Sequence, residues 1–138
     1  PLRGKGENKW LSNIPLTHIE NINNIQHCDI LTVTKSKKDR LILEDFFPDI
    51  INTQNESKGC FTPENIALIS SKGDKIRINF DGDNVGKTNS KKLTQENNWQ
   101  WLNVPNELVE KGIKDFSDMA KELGIKAVKD YFKSKKLI

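Results

Sequence analysis

The stretch Lys75-Ile76-Arg77-Ile78-Asn79-Phe80-Asp81-Gly82-Asp83-Asn84-Val85-Gly86 decides how the chain is read. Residues 75–80 have the β-branched and aromatic character of a strand, and residues 81–86 have the Asp, Asn and Gly of a turn. Two carboxylates therefore leave the end of a strand two residues apart.

Outward from this point the chain alternates. Ile30 to Thr34 is a β-branched run of the kind found in buried strands, followed by Ser36 as a helix N-cap. Leu41, Ile42, Leu43, Phe46 and Phe47 form the apolar stripe of that helix, which Pro48 stops, and Asp49 to Thr53 reads as a second strand. Thr62 and Pro63 open the next helix, with Ile66, Leu68 and Ile69 apolar and Gly73 as its C-terminal stop. Lys87 to Glu96 reads as a polar helix. Trp99 to Val104 reads as a fourth strand, with Trp99, Trp101 and Asn103 on one face. Residues 106–138 are helical pieces broken at Gly112 and Gly124. Alternating units of this length predict an α/β fold, a Rossmann-like parallel four-stranded sheet flanked by helices.

Residues 1–28 read as a polar, largely irregular lead-in with room for one short helix. Only Trp10, Leu11, Ile14, Ile19, Ile22 and Ile25 can anchor it, and residues 29–138 form the domain. A length of 138 residues suits one compact domain. The 35% hydrophobic content sits below the globular average and 30% of residues are charged, so a modest core lies under a charged surface. The net charge of +3 is the small difference between 22 basic and 19 acidic residues, so clustering carries more information than the total. Cys28 and Cys60 lack the spacing of a zinc site or disulfide framework, which fits a reducing cytosol. No apolar run approaches the ~20 residues of a membrane span, and no signal-peptide pattern opens the chain, so a soluble cytoplasmic protein is expected. Pro1 stands where an initiator Met would be, which predicts a piece of a longer chain.

Asp81 and Asp83 can point the same way from the strand end, and open α/β sheets bind ligands at that edge. Two carboxylates about 5 Å apart repel by roughly 3 kcal/mol at an effective dielectric of about 20, a cost that a divalent cation relieves. Mg2+ takes oxygen ligands and needs only one or two carboxylates plus substrate phosphate, which suits phosphoryl-transfer chemistry. The same Asp-Gly-Asp-Asn is also ordinary turn and helix-cap chemistry. An EF-hand loop is excluded because Val85 and Lys92 stand where ligands are required, and a phosphate loop because Asp81 replaces its first Gly. Lys114-Asp115-Phe116-Ser117-Asp118 follows the fourth strand, so Asp115 is able to return to the same edge as a third ligand; its other reading is a helix cap.

The strand, the D-x-D-x-x-G of Asp81 to Gly86, a helix, a strand, and the K-D-x-x-[DE] of Lys114 to Asp118 resemble, in that order, the TOPRIM domain. The resemblance spans about residues 29–135 and is closest to primases of bacteriophages and of the bacterial primase family; some nucleases share the fold. It implies Mg2+ or Mn2+ held by Asp81, Asp83 and Asp115, with Asp118 as a supporting carboxylate. It implies a catalytic core that makes RNA primers on a single-stranded DNA template from nucleoside triphosphates, with a replicative helicase as partner, in the cytoplasm of a bacterial or phage-infected cell. The family has a Glu just after the first strand. Lys35 stands there in Thr34-Lys35-Ser36-Lys37-Lys38-Asp39, and some phage primase-like sequences have a similar T-K-S-x-K-D stretch. Lys35 and Glu56 are therefore the candidate catalytic residues, Glu56 as the substitute for the missing Glu. A non-catalytic nucleic-acid-binding module and a TOPRIM nuclease are the alternatives. The zinc-binding element and much of the polymerising subdomain of such primases are not in these 138 residues, so the piece by itself is not expected to complete a primer.

Basic residues cluster at Lys35, Lys37, Lys38 and Arg40, at Lys87, Lys91 and Lys92, and at Lys133 to Lys136. Clustering of this kind serves phosphate binding, although charge runs are often only solvated faces. Lys37, Lys38, Arg40 and Lys87 are the candidates for nucleic acid, Lys87 lying one turn beyond the acidic pair. Trp99 and Trp101 are expected in the core or an interface rather than stacked on bases.

Overall fold

A computed structural model describes residues 14–138. The anchors Trp10 and Leu11 lie outside the described residues. Four strands alternate with helices in chain order: β1 (Cys28–Thr34), α1 (Lys37–Leu43), β2 (Ile50–Asn52), α2 (Pro63–Lys72), β3 (Gly73–Asn79), α3 (Asn84–Asn97), β4 (Gln100–Trp101), α4 (Asn106–Val109), α5 (Phe116–Leu123) and α6 (Ile125–Ser134). The strands form one sheet in the order β2-β1-β3-β4, every pairing parallel, with Leu31 opposite Ile76, Thr34 opposite Asn79 and Thr34 opposite Asn52. This is the α/β, Rossmann-like arrangement that the alternation of elements predicts.

Period-two alternation sends the buried apolar side chains of the central strands β1 and β3 to one face, and a second core is built from β2 and the segment after β4. Leu31, Val33, Ile51, Ile76, Ile78 and Phe80 meet Ile69 of α2 and Leu93 of α3 on one face. On the other, Leu43 of α1, Phe116 and Met119 of α5, and Val128 and Phe132 of α6 close over Ile50, Leu102 and Val104. Phe132 is the centre of this second core, with the Phe47 and Phe116 rings each 4.9 Å away and Phe46 at 5.3 Å. Full burial of such a side chain stabilises by about 1.5–3 kcal/mol. Of the lead-in, Ile19, Ile22 and Ile25 are buried in the first core. A 3-10 turn at Ile22–Asn24 is its short helix, and Glu20 bridges antiparallel to Asn52 at the β2 edge.

Gly73 stops α2 as expected, in extended backbone with φ −145°, and is already the first residue of β3. The position needs Gly for space, since a Cβ there would sit 2.9 Å from Leu31 Cβ. The fourth strand shrinks to Gln100–Trp101, and no single face carries Trp99, Trp101 and Asn103. The chain crosses there from one core to the other, burying Trp99 on one side and Leu102 and Val104 on the other, so Trp101 is left 38% exposed rather than in the core. The helix after the acidic turn begins at Asn84, earlier than Lys87, because Asp83 caps it. Among the described residues no helix is long and apolar enough to cross a membrane.

Candidate metal centre

Strand order places a switch point between β1 and β3: β1 connects onward to β2 on one side, and β3 to β4 on the other. Ligands of open parallel sheets bind in the crevice at the carboxyl ends of the strands at such a point. Lys35 follows β1 and Asp81 follows β3, and their side chains meet there, Nζ to Oδ1 3.0 Å.

Glu56 comes from the loop after β2. Its Oε2 accepts the Asp81 backbone N–H at 3.1 Å, and its carbonyl accepts from Asn89 of α3 at 3.1 Å. Asp83 is the N-cap of α3, its Oδ1 accepting the Gly86 N–H at 2.9 Å. Gly86 has no alternative at this point of closest approach, since a Cβ would lie 2.0 Å from the Asp81 carbonyl oxygen. One carboxylate oxygen each from Glu56, Asp81 and Asp83 lie within 4.8 Å of one another, all three half-buried. They offer hard oxygen donors able to hold a metal ion.

A second layer lies behind this triad. Asp115 caps α5, its Oδ1 accepting the Asp118 N–H (2.7 Å), and its Oδ2 accepts from Lys35 Nζ (3.1 Å). Asp118 returns an oxygen to the Lys114 N–H at 3.3 Å, and the Gly82 N–H donates to the Lys114 carbonyl at 2.7 Å, pinning the two aspartate-bearing loops together. Asp39 is fully buried and accepts from Lys35 Nζ (2.5 Å), Ser36 Oγ (2.8 Å) and Ser117 Oγ (2.5 Å). The capping readings and the clustering readings of Asp83 and Asp115 thus hold together: one oxygen of each caps a helix, and each side chain belongs to the acidic edge.

The electrostatics divide the cluster. Burial opposes the Lys35 charge, but Asp39, Asp115 and Asp81 outweigh it and raise the ammonium's pKa, which favours the charged form. Burial likewise opposes the Asp39 charge, and bonds from Lys35, Ser117 and Ser36 reverse the balance and hold its pKa below the ordinary value. Asp81 and Glu56 go the other way. Burial, with the Asp115 and Asp83 charges, raises Asp81 despite Lys35. Burial, with the Asp81 and Asp83 charges, raises Glu56. Asp81 Oδ1 is buried and receives no aligned hydrogen bond; Lys35 reaches it only as an ion-pair contact. One ammonium does not balance the carboxylates gathered here, and a further cation would relieve the excess.

Of the residues expected from the sequence, Asp81, Asp83, Asp115, Asp118, Lys35 and Glu56 converge at this edge. Asp115 faces the ammonium, whereas Glu56 joins the two D-x-D aspartates. Lys37 and Lys38 are exposed in the first turn of α1. Arg40 is tied down, with Nε on Asn52 Oδ1 (2.7 Å) and a terminal nitrogen on Glu44 (3.2 Å). Lys87 Nζ donates to Asn106 Oδ1 of α4 at 2.8 Å, keeping its charge uncompensated by that partner. Asp39 and Ser117 were not among the expected residues. The readable signal for Asp39 was its spacing, four residues after Lys35 and three after the N-cap Ser36. Comparison of the chain with protein-family models, with curated proteins and with solved structures finds no match.

Proposed function

We propose that this chain is the TOPRIM catalytic core of a DNA primase, performing metal-dependent nucleotidyl transfer that builds RNA primers on single-stranded DNA. The observation that carries the reading is the meeting of Glu56, Asp81 and Asp83 at the carboxyl edge of the sheet, backed by Lys35 and Asp115. Glu56, Asp81 and Asp83 would hold Mg2+ or Mn2+, and a bound ion would supply Lewis-acid stabilisation of charge on the transferring phosphoryl group. Lys35 fixes the Asp81 and Asp115 carboxylates from behind and holds positive charge against them. Lys37, Lys38 and Lys87 lie in the first turns of α1 and α3, which start from this edge, and supply charge for template or nucleotide phosphate.

The test is a Mn2+ or Mg2+ titration followed by calorimetry, comparing the chain with an Asp81→Asn, Asp83→Asn double variant, followed by primer synthesis on single-stranded DNA with the full-length protein. Metal binding in the parent, lost in the variant, and primers dependent on the same aspartates are the expected results. The three ion pairs of Lys35, at the position where the family has a Glu, favour a second reading, a non-catalytic nucleic-acid-binding module. Single-stranded DNA binding with no metal uptake would select it.

A further inference from the structure

Lys35 Nζ donates to Asp39 at 2.5 Å and to Asp115 at 3.1 Å, and makes an ion-pair contact with Asp81 at 3.0 Å. Its side chain is only 13% exposed, so the ammonium is a built-in part of the centre rather than a surface charge drifting near it. Asp81 is shared. It faces the ammonium through Oδ1, and it belongs as well to the group formed with Glu56 and Asp83. Phosphoryl-transfer centres with two metal ions have this plan, with two cations about 3.5–4 Å apart clamping the reacting oxygens. A lysine ammonium is a compact point charge with three donors, able to stand among carboxylates where a metal ion otherwise would.

Building on the metal site proposed above, we infer that Lys35 is the fixed second cation of this centre. The chain then loads one divalent ion, on Glu56, Asp81 and Asp83, while Asp115 serves the ammonium instead of the ion. The triad and the lysine layer divide the acidic edge between a replaceable cation and a permanent one. Lys35 is in this sense a positioning residue: it orients Asp81 toward the metal side and prevents a second ion from entering between Asp81, Asp115 and Asp39.

Ion stoichiometry tests this without reference to turnover. Titration of the 138-residue chain with Mn2+, read by electron paramagnetic resonance and calorimetry, is expected to show one ion. Lys35→Met is expected to admit a second. Two ions in the parent chain, or a folded Lys35→Met protein that still takes one, overturns the inference and leaves the metal site standing. No ion in the parent overturns both. Should Lys35→Met fail to fold, the order of two milder variants decides: Glu56→Gln must weaken the single ion more than Asp115→Asn does, and equal or reversed losses show Asp115 to be a ligand and the inference to be wrong.

Discussion

Asp39 has no accessible surface and three donors, so its charge is stabilised wholly by what the fold brings to it. Replacing it by Asn removes one partner of a buried ion pair, which costs about 3–5 kcal/mol when the remaining charge is left alone. Asp81 and Asp115 stay beside Lys35, so the lower end, roughly 3 kcal/mol, is expected from urea unfolding at pH 7. The pH dependence carries a definite sign. The folded-state pKa of Asp39 lies below its ordinary 3.8. Its contribution is therefore complete above pH 3.8 and is lost as the pH falls through the lower folded value. Asp81 and Glu56, with raised values, contribute in the opposite sense, gaining as the pH falls through their folded values. The difference between parent and Asp39→Asn stability, followed by urea midpoints from pH 6 to pH 2, should be flat at first and close only below pH 3.8. At this scale the sequence was partly legible: Asp81 and Asp83 were visible because they are two residues apart. The burial of Asp39 was not, because it depends on Ser117, 78 residues away.

Among the elements, α3 is set by a single close approach. Its N-terminus lies against the end of β3, where Gly86 meets the Asp81 carbonyl with no room for a methyl group. Gly86→Ala forces the helix away from the strand, and overpacking of this type costs roughly 1–3 kcal/mol or more. Because Asp83 caps the helix and Asp81 ends the strand, the displacement also opens the triad. Thermal unfolding of Gly86→Ala should show the loss, and metal titration should show weaker uptake than in the parent. The Gly in D-x-D-x-x-G thus has a packing reason. Helix starts at Ser36, Thr62 and Pro63 were legible because caps and Pro act locally. The shortness of β4 was not. Trp99 to Val104 has strand composition, but two cores on opposite sides of the sheet claim successive parts of it.

For the whole molecule, metal uptake is linked to folding. A ligand that binds only the native state at 100 times its Kd stabilises by about 2.7 kcal/mol. For a chain of this length that corresponds to a rise in Tm of roughly 10 °C. Differential scanning fluorimetry should show this rise in saturating Mn2+ for the parent and none for the Asp81→Asn, Asp83→Asn variant; an equal rise in both would place the ion elsewhere. The alternation of strands and helices, hence the parallel sheet and the edge at which Asp81 and Asp83 emerge, was legible in the residues alone, because periodicity, caps and turns are largely local signals. The three-dimensional fold settled how the carboxylates expected at that edge divide between the triad and Lys35. Parallel crossovers bring Lys35, Glu56, Asp81 and Asp115 together from four separate stretches of chain, and the burial of that edge sets their charges against one another. Local pattern carries no record of such distances, so Glu56 joining the D-x-D pair and Asp115 turning to Lys35 became visible only in three dimensions.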